Sequence, residues 1–278
     1  MSEIIRVENL SYIYNQGMPD ATKALDDVSF TVEEGDFVGI IGSTGSGKST
    51  LISHFNGLNR PTSGRVLVDG RDLWEQGADL RSFRFLVGLV MQYPEYQLFE
   101  ETCARDIAYG PRNMGLDEAE VQRRVREAAA FVGLSDELLE KSPFELSGGQ
   151  KRRVAIAGVM AMHPRVLVLD EPTNHLDAEM TAWLEDWLRR FKGGLVMVTH
   201  DRYFLERVVN HITELSRGKL YHYEANYSKY LELKAQRAEM AEASERKRQS
   251  ILRTEREWIM RGCRARTTKS RDRIERYE

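Results

Sequence analysis

The 278-residue chain has few of the features that mark secreted, membrane-spanning or metal-clustered proteins. It contains only two cysteines, Cys103 and Cys263, 160 positions apart and outside any Cys/His cluster. That pattern suggests neither a disulfide nor a thiolate metal site, and free thiols in a reducing cytoplasm are the expectation. No apolar run approaches the roughly 18 residues that a membrane span needs. Residues 4–10 already read as a strand, so no signal peptide is expected. Neither proline nor glycine occurs between Tyr227 and Met260, which leaves that stretch free to run as one long polar helix. The net charge of −3 is small but unevenly spread. Residues 227–278 hold 15 Lys+Arg against 9 Asp+Glu, a net of +6, which leaves −9 for residues 1–226. An acidic body with a basic tail suits an anionic partner for the tail. At 41% hydrophobic, the chain can bury one large core plus an appendage.

What the chain does have is a phosphate-binding loop. Gly42-Ser43-Thr44-Gly45-Ser46-Gly47-Lys48-Ser49 follows the apolar run Phe37-Val38-Gly39-Ile40-Ile41 and leads into Thr50-Leu51-Ile52. This is G-x-x-x-x-G-K-[ST] between a strand and a helix start. The glycines let successive backbone N–H groups face inward as an anion nest, at a helix N-terminus that favours phosphate. Lys48 then reaches the β- and γ-phosphates, and the Ser49 hydroxyl is a Mg²⁺ ligand. The motif predicts a bound nucleoside triphosphate with Mg²⁺, and the family resemblance given below makes the nucleotide ATP.

A second glycine turn, Leu146-Ser147-Gly148-Gly149-Gln150, is capped onto the helical run Lys151-Arg152-Arg153-Val154-Ala155-Ile156-Ala157. One chain cannot easily fold both devices around one nucleotide. Leu-Ser-Gly-Gly-Gln is similar to the signature of ATP-binding cassette (ABC) ATPases, and the other motifs appear in that family's order. Val166-Leu167-Val168-Leu169-Asp170-Glu171 reads as a buried parallel strand ending in two carboxylates. Asp170 follows Lys48 by 122 residues and Gln150 by 20.

The resemblance implies an α/β P-loop NTPase fold, with a nucleotide-binding domain, a helical subdomain and here a C-terminal helical arm. It implies that Asp170 joins Ser49 and Gln92 around Mg²⁺, and that Glu171 is the base for the attacking water. His200, after the strand Leu195-Val196-Met197-Val198-Thr199, matches the switch histidine. Gln92 matches the Q-loop and Tyr14 the adenine-stacking aromatic, with Tyr12 a near neighbour. Asp177 falls in the D-loop. The resemblance also implies that residues 146–150 act on the nucleotide held by a second cassette, so that the active unit is a head-to-tail dimer, homodimeric or paired with a paralogue.

The expected organisation is a cassette over 1–226, with its helical subdomain at about 100–163, and an arm over 227–278. Within the cassette, residues 1–100 read as short strands with turns, and 164–224 as strand, helix, strand, helix. Residues 1–172 resemble the ATPase subunit of energy-coupling-factor importers of vitamins or transition-metal ions. The resemblance rests on Asn56-Gly57-Leu58, Gln92-Tyr93-Pro94-Glu95-Tyr96-Gln97-Leu98-Phe99 and Asp106-Ile107-Ala108-Tyr109-Gly110-Pro111. It implies a cytoplasmic ATPase, peripheral on the membrane, whose residues 92–111 grip a membrane-embedded coupling subunit.

Residues 173–278 resemble the ABC-F branch, through Thr173-Asn174-His175-Leu176-Asp177, Thr199-His200-Asp201-Arg202-Tyr203-Phe204-Leu205 and Tyr223-Glu224-Ala225-Asn226-Tyr227-Ser228-Lys229-Tyr230. That likeness implies a chimera with a seam at 169–173 and, as the alternative function, a ribosome or tRNA partner. Arg261, Arg264, Arg266, Lys269, Arg271 and Arg273 are then candidate RNA contacts. A solvated helix with its ion pairs facing water is the plainer reading of the arm.

Overall fold

The computed structural model describes residues 2–174, 176–216 and 218–260. In chain order its elements are β1 (Glu3–Tyr14), β2 (Thr22–Glu33), β3 (Phe37–Ile41), α1 (Lys48–Phe55), β4 (Ser63–Val68), β5 (Arg71–Asp72), α2 (Leu80–Leu86) and β6 (Val87–Val90). Then follow α3 (Cys103–Asn113), α4 (Glu118–Val132), α5 (Asp136–Leu139), α6 (Gly148–Met160), β7 (Val166–Asp170), α7 (Ala178–Leu188), β8 (Gly194–Val198), α8 (Arg202–Val208), β9 (His211–Ser216), β10 (Lys219–Tyr223) and α9 (Tyr227–Met260). These residues divide into two units, one ending at Tyr227 and one beginning at Ser228.

The first unit is built on two sheets. One is antiparallel, in the order β2-β1-β4-β5; the other runs β10-β9-β3-β8-β7-β6, parallel except for the β10 edge. Every residue of β7 and β8 is buried, which is why both read as unbroken apolar runs rather than as alternating ones. The core joins the sheets through α1. Phe55, at the end of that helix, is fully buried and packs on Phe30 of β2 with ring centroids 5.6 Å apart. The α/β fold of a P-loop ATPase is therefore what the chain adopts.

Local chemistry sets the helix starts. The side chains of Thr102, Asp117, Ser147, Asp177 and Asp201 each accept a backbone N–H in the first turn of α3, α4, α6, α7 and α8. At α6 the cap is reciprocal, because Gln150 Oε1 also accepts the Ser147 N–H at 3.1 Å. Gly133, in the left-handed region at φ 71°, ends α4.

Two elements differ from the sequence reading. Residues 1–100 hold two 12-residue strands rather than only short ones. Register shifts interrupt the β1–β2 ladder, with Asn9 and Asp27 at positive φ, so the alternation breaks where the strand continues. Residues 164–224 do not stop at strand, helix, strand, helix: β9 and β10 follow as a hairpin, placing β9 beside β3 and an antiparallel strand on the edge.

The described residues of the second unit, 228–260, belong to α9, which is largely polar. Ion pairs along it are local, Lys229–Glu232 at 2.6 Å and Arg253–Glu257 at 3.3 Å among them, each worth a few tenths of a kcal/mol. No described helix is long and apolar enough to cross a membrane.

Because Phe55 locks the helix behind the phosphate loop to the antiparallel sheet, Phe55→Ala is expected to cost about 3–5 kcal/mol. Denaturant unfolding measures it, and a loss below about 1 kcal/mol would mean that α1 is held from elsewhere.

Candidate functional site

The C-terminal ends of β3, β7 and β8 open onto one cleft of about 550 Å³. Ligands of open parallel sheets bind at such strand ends. Residues 42–47 cross from β3 to α1 and need glycine at two places. Gly42 and Gly47 have φ of 158° and 98°, and a Cβ there would stand 2.4 Å from Leu215 O and 2.6 Å from Ala24 O. At those two positions the loop lies too close to the neighbouring backbone to carry a side chain.

Lys48 is 7% exposed, and its Nζ donates to the carbonyls of Gly42 and Ser43, each at 3.0 Å. Burial pushes its pKa down, against the pull of the Glu171 and Asp170 carboxylates. The ammonium is held by neutral acceptors only, an arrangement that an anion would relieve. Ser49 Oγ donates to Asp170 Oδ1 at 3.3 Å. Burial raises the Asp170 pKa, offset in part by that bond and by Lys48.

Glu171 leaves β7 in the left-handed region, at φ 46°. Its N–H donates to Val198 O at 2.8 Å. Its carboxylate accepts the His200 N–H at 3.3 Å and lies 3.4 Å from His200 Nε2. Burial raises its pKa too, and His200 opposes the rise.

Gln92 and Tyr14 line the same cleft. The Tyr14 hydroxyl is 2.9 Å from Thr50 Oγ1, while Tyr12 sets its ring edge against Tyr14 and against His54. Of the two tyrosines, Tyr14 is the one on the cleft. Ser49, Asp170 and Gln92 offer oxygen donors, a set that fits a small hard cation. Among the described residues no group of three or more His, Cys, Asp or Glu gathers elsewhere.

Not every sequence candidate converges here. Gly42, Ser43 and Ser46 of the phosphate loop and Asp170 are not among the cleft-lining residues, although Lys48 bonds to the first two and Ser49 to Asp170. None of Leu146, Ser147, Gly148, Gly149 and Gln150 lines the cleft, and Asp177 caps α7 instead. A Cβ at Gly148 would meet nothing within 4 Å, so the start of α6 is open. Arg261, Arg264, Arg266, Lys269, Arg271 and Arg273 lie outside the described residues. Three contributors were not foreseen. Thr22, Lys23 and Ala24 of β2 form one wall, Asn174 joins from the turn after β7, and Arg152 of α6 bonds to that turn from behind. A second cleft, of about 480 Å³, is lined by Leu98, Phe99, Tyr109 and Val154 among others.

A family model described as ABC transporter matches residues 25–174, and a second with the same description matches 213–278. The chain belongs to the ABC transporter family. As a cassette of this family it is similar to the "Energy-coupling factor transporter ATP-binding protein EcfA2" of Caldanaerobacter subterraneus subsp. tengcongensis, 51% identical over 220 residues, 78% of this chain and 77% of that protein. It is 54% identical over 217 residues to the protein of the same name from Symbiobacterium thermophilum, covering 77% and 75%. Among solved structures, cbiO1 from Clostridium perfringens, described as part of the ABC transporter complex cbiONQ, superposes with a TM-score of 0.72 at 33% identity, over 84% of this chain and 92% of that one. A dimeric ATP-binding cassette in a post-hydrolysis state bound to ADP and Pi superposes at 0.70 with 27% identity, over 80% and 98%.

These likenesses correct the expectation of a chimera. A match of 220 residues cannot fit within residues 1–172, so the cassette's similarity to these transporter proteins runs past the supposed seam at 169–173. The Thr173–Asp177 and Thr199–Leu205 stretches are compatible with one continuous ancestry, and the ABC-F branch with its ribosome or tRNA partner is not supported.

Asp170 and Glu171 carry raised pKa values in the folded cassette. The native state therefore holds more protons than the unfolded chain, from about pH 4 up to the raised values, and stability falls as pH rises through that window. Glu171→Gln is expected to melt at higher temperature than the parent chain at neutral pH, with the gap closing toward about pH 4. A gap independent of pH in thermal melts would contradict the burial of this charge.

Proposed function

We propose that the cassette is the ATPase subunit of a transporter of the energy-coupling-factor class, hydrolysing Mg-ATP on the cytoplasmic face of the membrane. The observation that carries this reading is the meeting of Lys48, Ser49–Asp170 and Glu171–His200 at one cleft. Bound at Ser49, Asp170 and Gln92, Mg²⁺ would offset the charge of the β- and γ-phosphates.

The chain's own groups do the rest. The N–H groups of residues 43–50 and the Lys48 ammonium hold the phosphates, and the Tyr14 ring stacks on adenine. Glu171 orients the attacking water and accepts its proton, a task that its raised pKa and buried setting suit. His200 holds the Glu171 carboxylate from one side and reaches the γ-phosphate from the other.

The partner reading has two parts. The open start of α6 gives Ser147, Gly148 and Gly149 to the nucleotide of a second cassette, the same chain or a paralogue, with Asp177 beside that interface. The groove between residues 92 and 111 receives a helix of the membrane subunit. Tyr93, Tyr96, Phe99 and Tyr109 are exposed there, with Tyr93 beside Tyr96 and Phe99 beside Tyr109, and exposed aromatic residues gathered on a surface support docking of a partner. EcfA2 proteins at about half identity support the class of transporter.

Glu171→Gln is the test. It is expected to bind ATP as the parent does while turnover falls by about 10²–10⁴-fold, read by nucleotide binding and phosphate release on the same preparation. Parent-like turnover would remove Glu171 from the chemistry.

A further inference from the structure

Arg152 lies in the first half of α6, and the reaction scheme above gives it no task. The residue is 5% exposed, and burial pushes its pKa below the usual arginine value. A buried guanidinium is costly unless its donors are used. Here they leave the helix: Nη1 donates to Asn174 O at 3.1 Å and Nη2 to Glu171 O at 3.4 Å. Among the described residues no carboxylate stands within 4 Å of it. The charge that it feels is that of Glu95, whose Oε2 is buried without a hydrogen-bond partner.

The turn it grips is strained. Glu171, at φ 46°, occupies a region that a non-glycine residue keeps only when its surroundings hold it there. Val198 O takes its N–H at 2.8 Å, and Asn174 N–H returns to its carbonyl at 3.2 Å. Arg152 adds a hold on that same carbonyl and on the carbonyl of Asn174, so both ends of the 171–174 turn are tied to α6.

We propose that Arg152 is a positioning residue for hydrolysis: its guanidinium fixes the 171–174 turn by two backbone carbonyls and so sets where the Glu171 carboxylate points. Removing it leaves the phosphate loop intact, since residues 42–49 run from the end of β3 into α1 and the two carbonyls that Arg152 binds are those of Glu171 and Asn174. It lets the turn relax toward ordinary backbone, and the carboxylate moves off line. Arg152 thus separates catalysis from binding, and it connects the helix following Ser147 and the segment carrying Glu95 to the reacting end of β7. The inference rests on Glu171 being the group that acts on water.

The test compares the full chain with Arg152→Met, Arg152→Lys, Glu171→Gln and the double variant Arg152→Met/Glu171→Gln, by steady-state ATP hydrolysis, binding of a fluorescent ATP analogue and thermal melting. Arg152→Met is expected to lower kcat at least about tenfold, with KM and analogue affinity within about threefold of the parent. Arg152→Lys, which can still reach one carbonyl, should recover a large part of that loss. The double variant should be no slower than Glu171→Gln alone, because both changes act through one carboxylate. Parent kcat in Arg152→Met overturns the proposal, as does a loss in which kcat, affinity and melting temperature fall together and lysine rescues nothing. Glu171→Gln at the parent rate overturns the reading of Glu171 and this proposal with it, whereas a parent-like Arg152→Met beside an inactive Glu171→Gln overturns this proposal alone.

Discussion

Burying three charges at the ends of neighbouring strands is the constraint on which the site depends. Asp170 and Glu171 are pushed up by burial and Lys48 is pushed down, yet among the described residues no ion pair within 4 Å joins the lysine to either acid. Each charge has partial relief instead. Lys48 rests on two loop carbonyls, Asp170 takes the Ser49 hydroxyl, and Glu171 takes a backbone N–H and faces His200. Such a cluster is complementary to something that carries both signs, an anion for the ammonium and a cation for the acids. Mg-ATP has that character.

The fold accepts this cost because the charges sit where the backbone is most firmly held. β7 lies between β6 and β8 with all five residues buried, so the two carboxylates are delivered to one place without a mobile loop. The phosphate loop meets β2 at Ala24 and β9 at Leu215 so closely that two of its positions must be glycine. Arg152 then approaches from the helical side, so that the 171–174 turn is braced by β7, β8 and α6. A site built on rigid strands can hold strain at Glu171 that an isolated turn could not.

Much of this was legible in the sequence, for reasons that differ by element. The phosphate loop, the strand ending in Asp170 and Glu171 and the cap at Ser147 are local devices whose residue types and spacing state their chemistry. The fully buried strands read clearly because nothing on them needs to be polar. Thr22–Ala24, Asn174 and Arg152 were not legible, because they reach the site through backbone atoms or across long sequence separations. The bulged strands β1 and β2 looked shorter than they are, since each register shift breaks the alternation. The apparent seam near residue 172 came from weighing short motifs against one another, and a continuous match over 220 residues outweighs them.

On the proposed reading, the site in one chain is half of a whole. Its cleft is lined by Lys48, Ser49, Gln92, Glu171 and His200, with Asp170 bonded to Ser49, whereas Ser147 and the glycines after it start a helix that lines no part of it. Solved cassettes of similar fold include dimers, one of them with ADP and Pi. The most direct measurement mixes two separately inactive, folded chains, Lys48→Ala and Ser147→Arg, and follows phosphate release. A mixed dimer holds one intact pairing of phosphate loop and signature, so activity should return on mixing and grow with the concentration of either variant. Two variants that each remain folded and together stay as inactive as they are apart would contradict a site shared between chains.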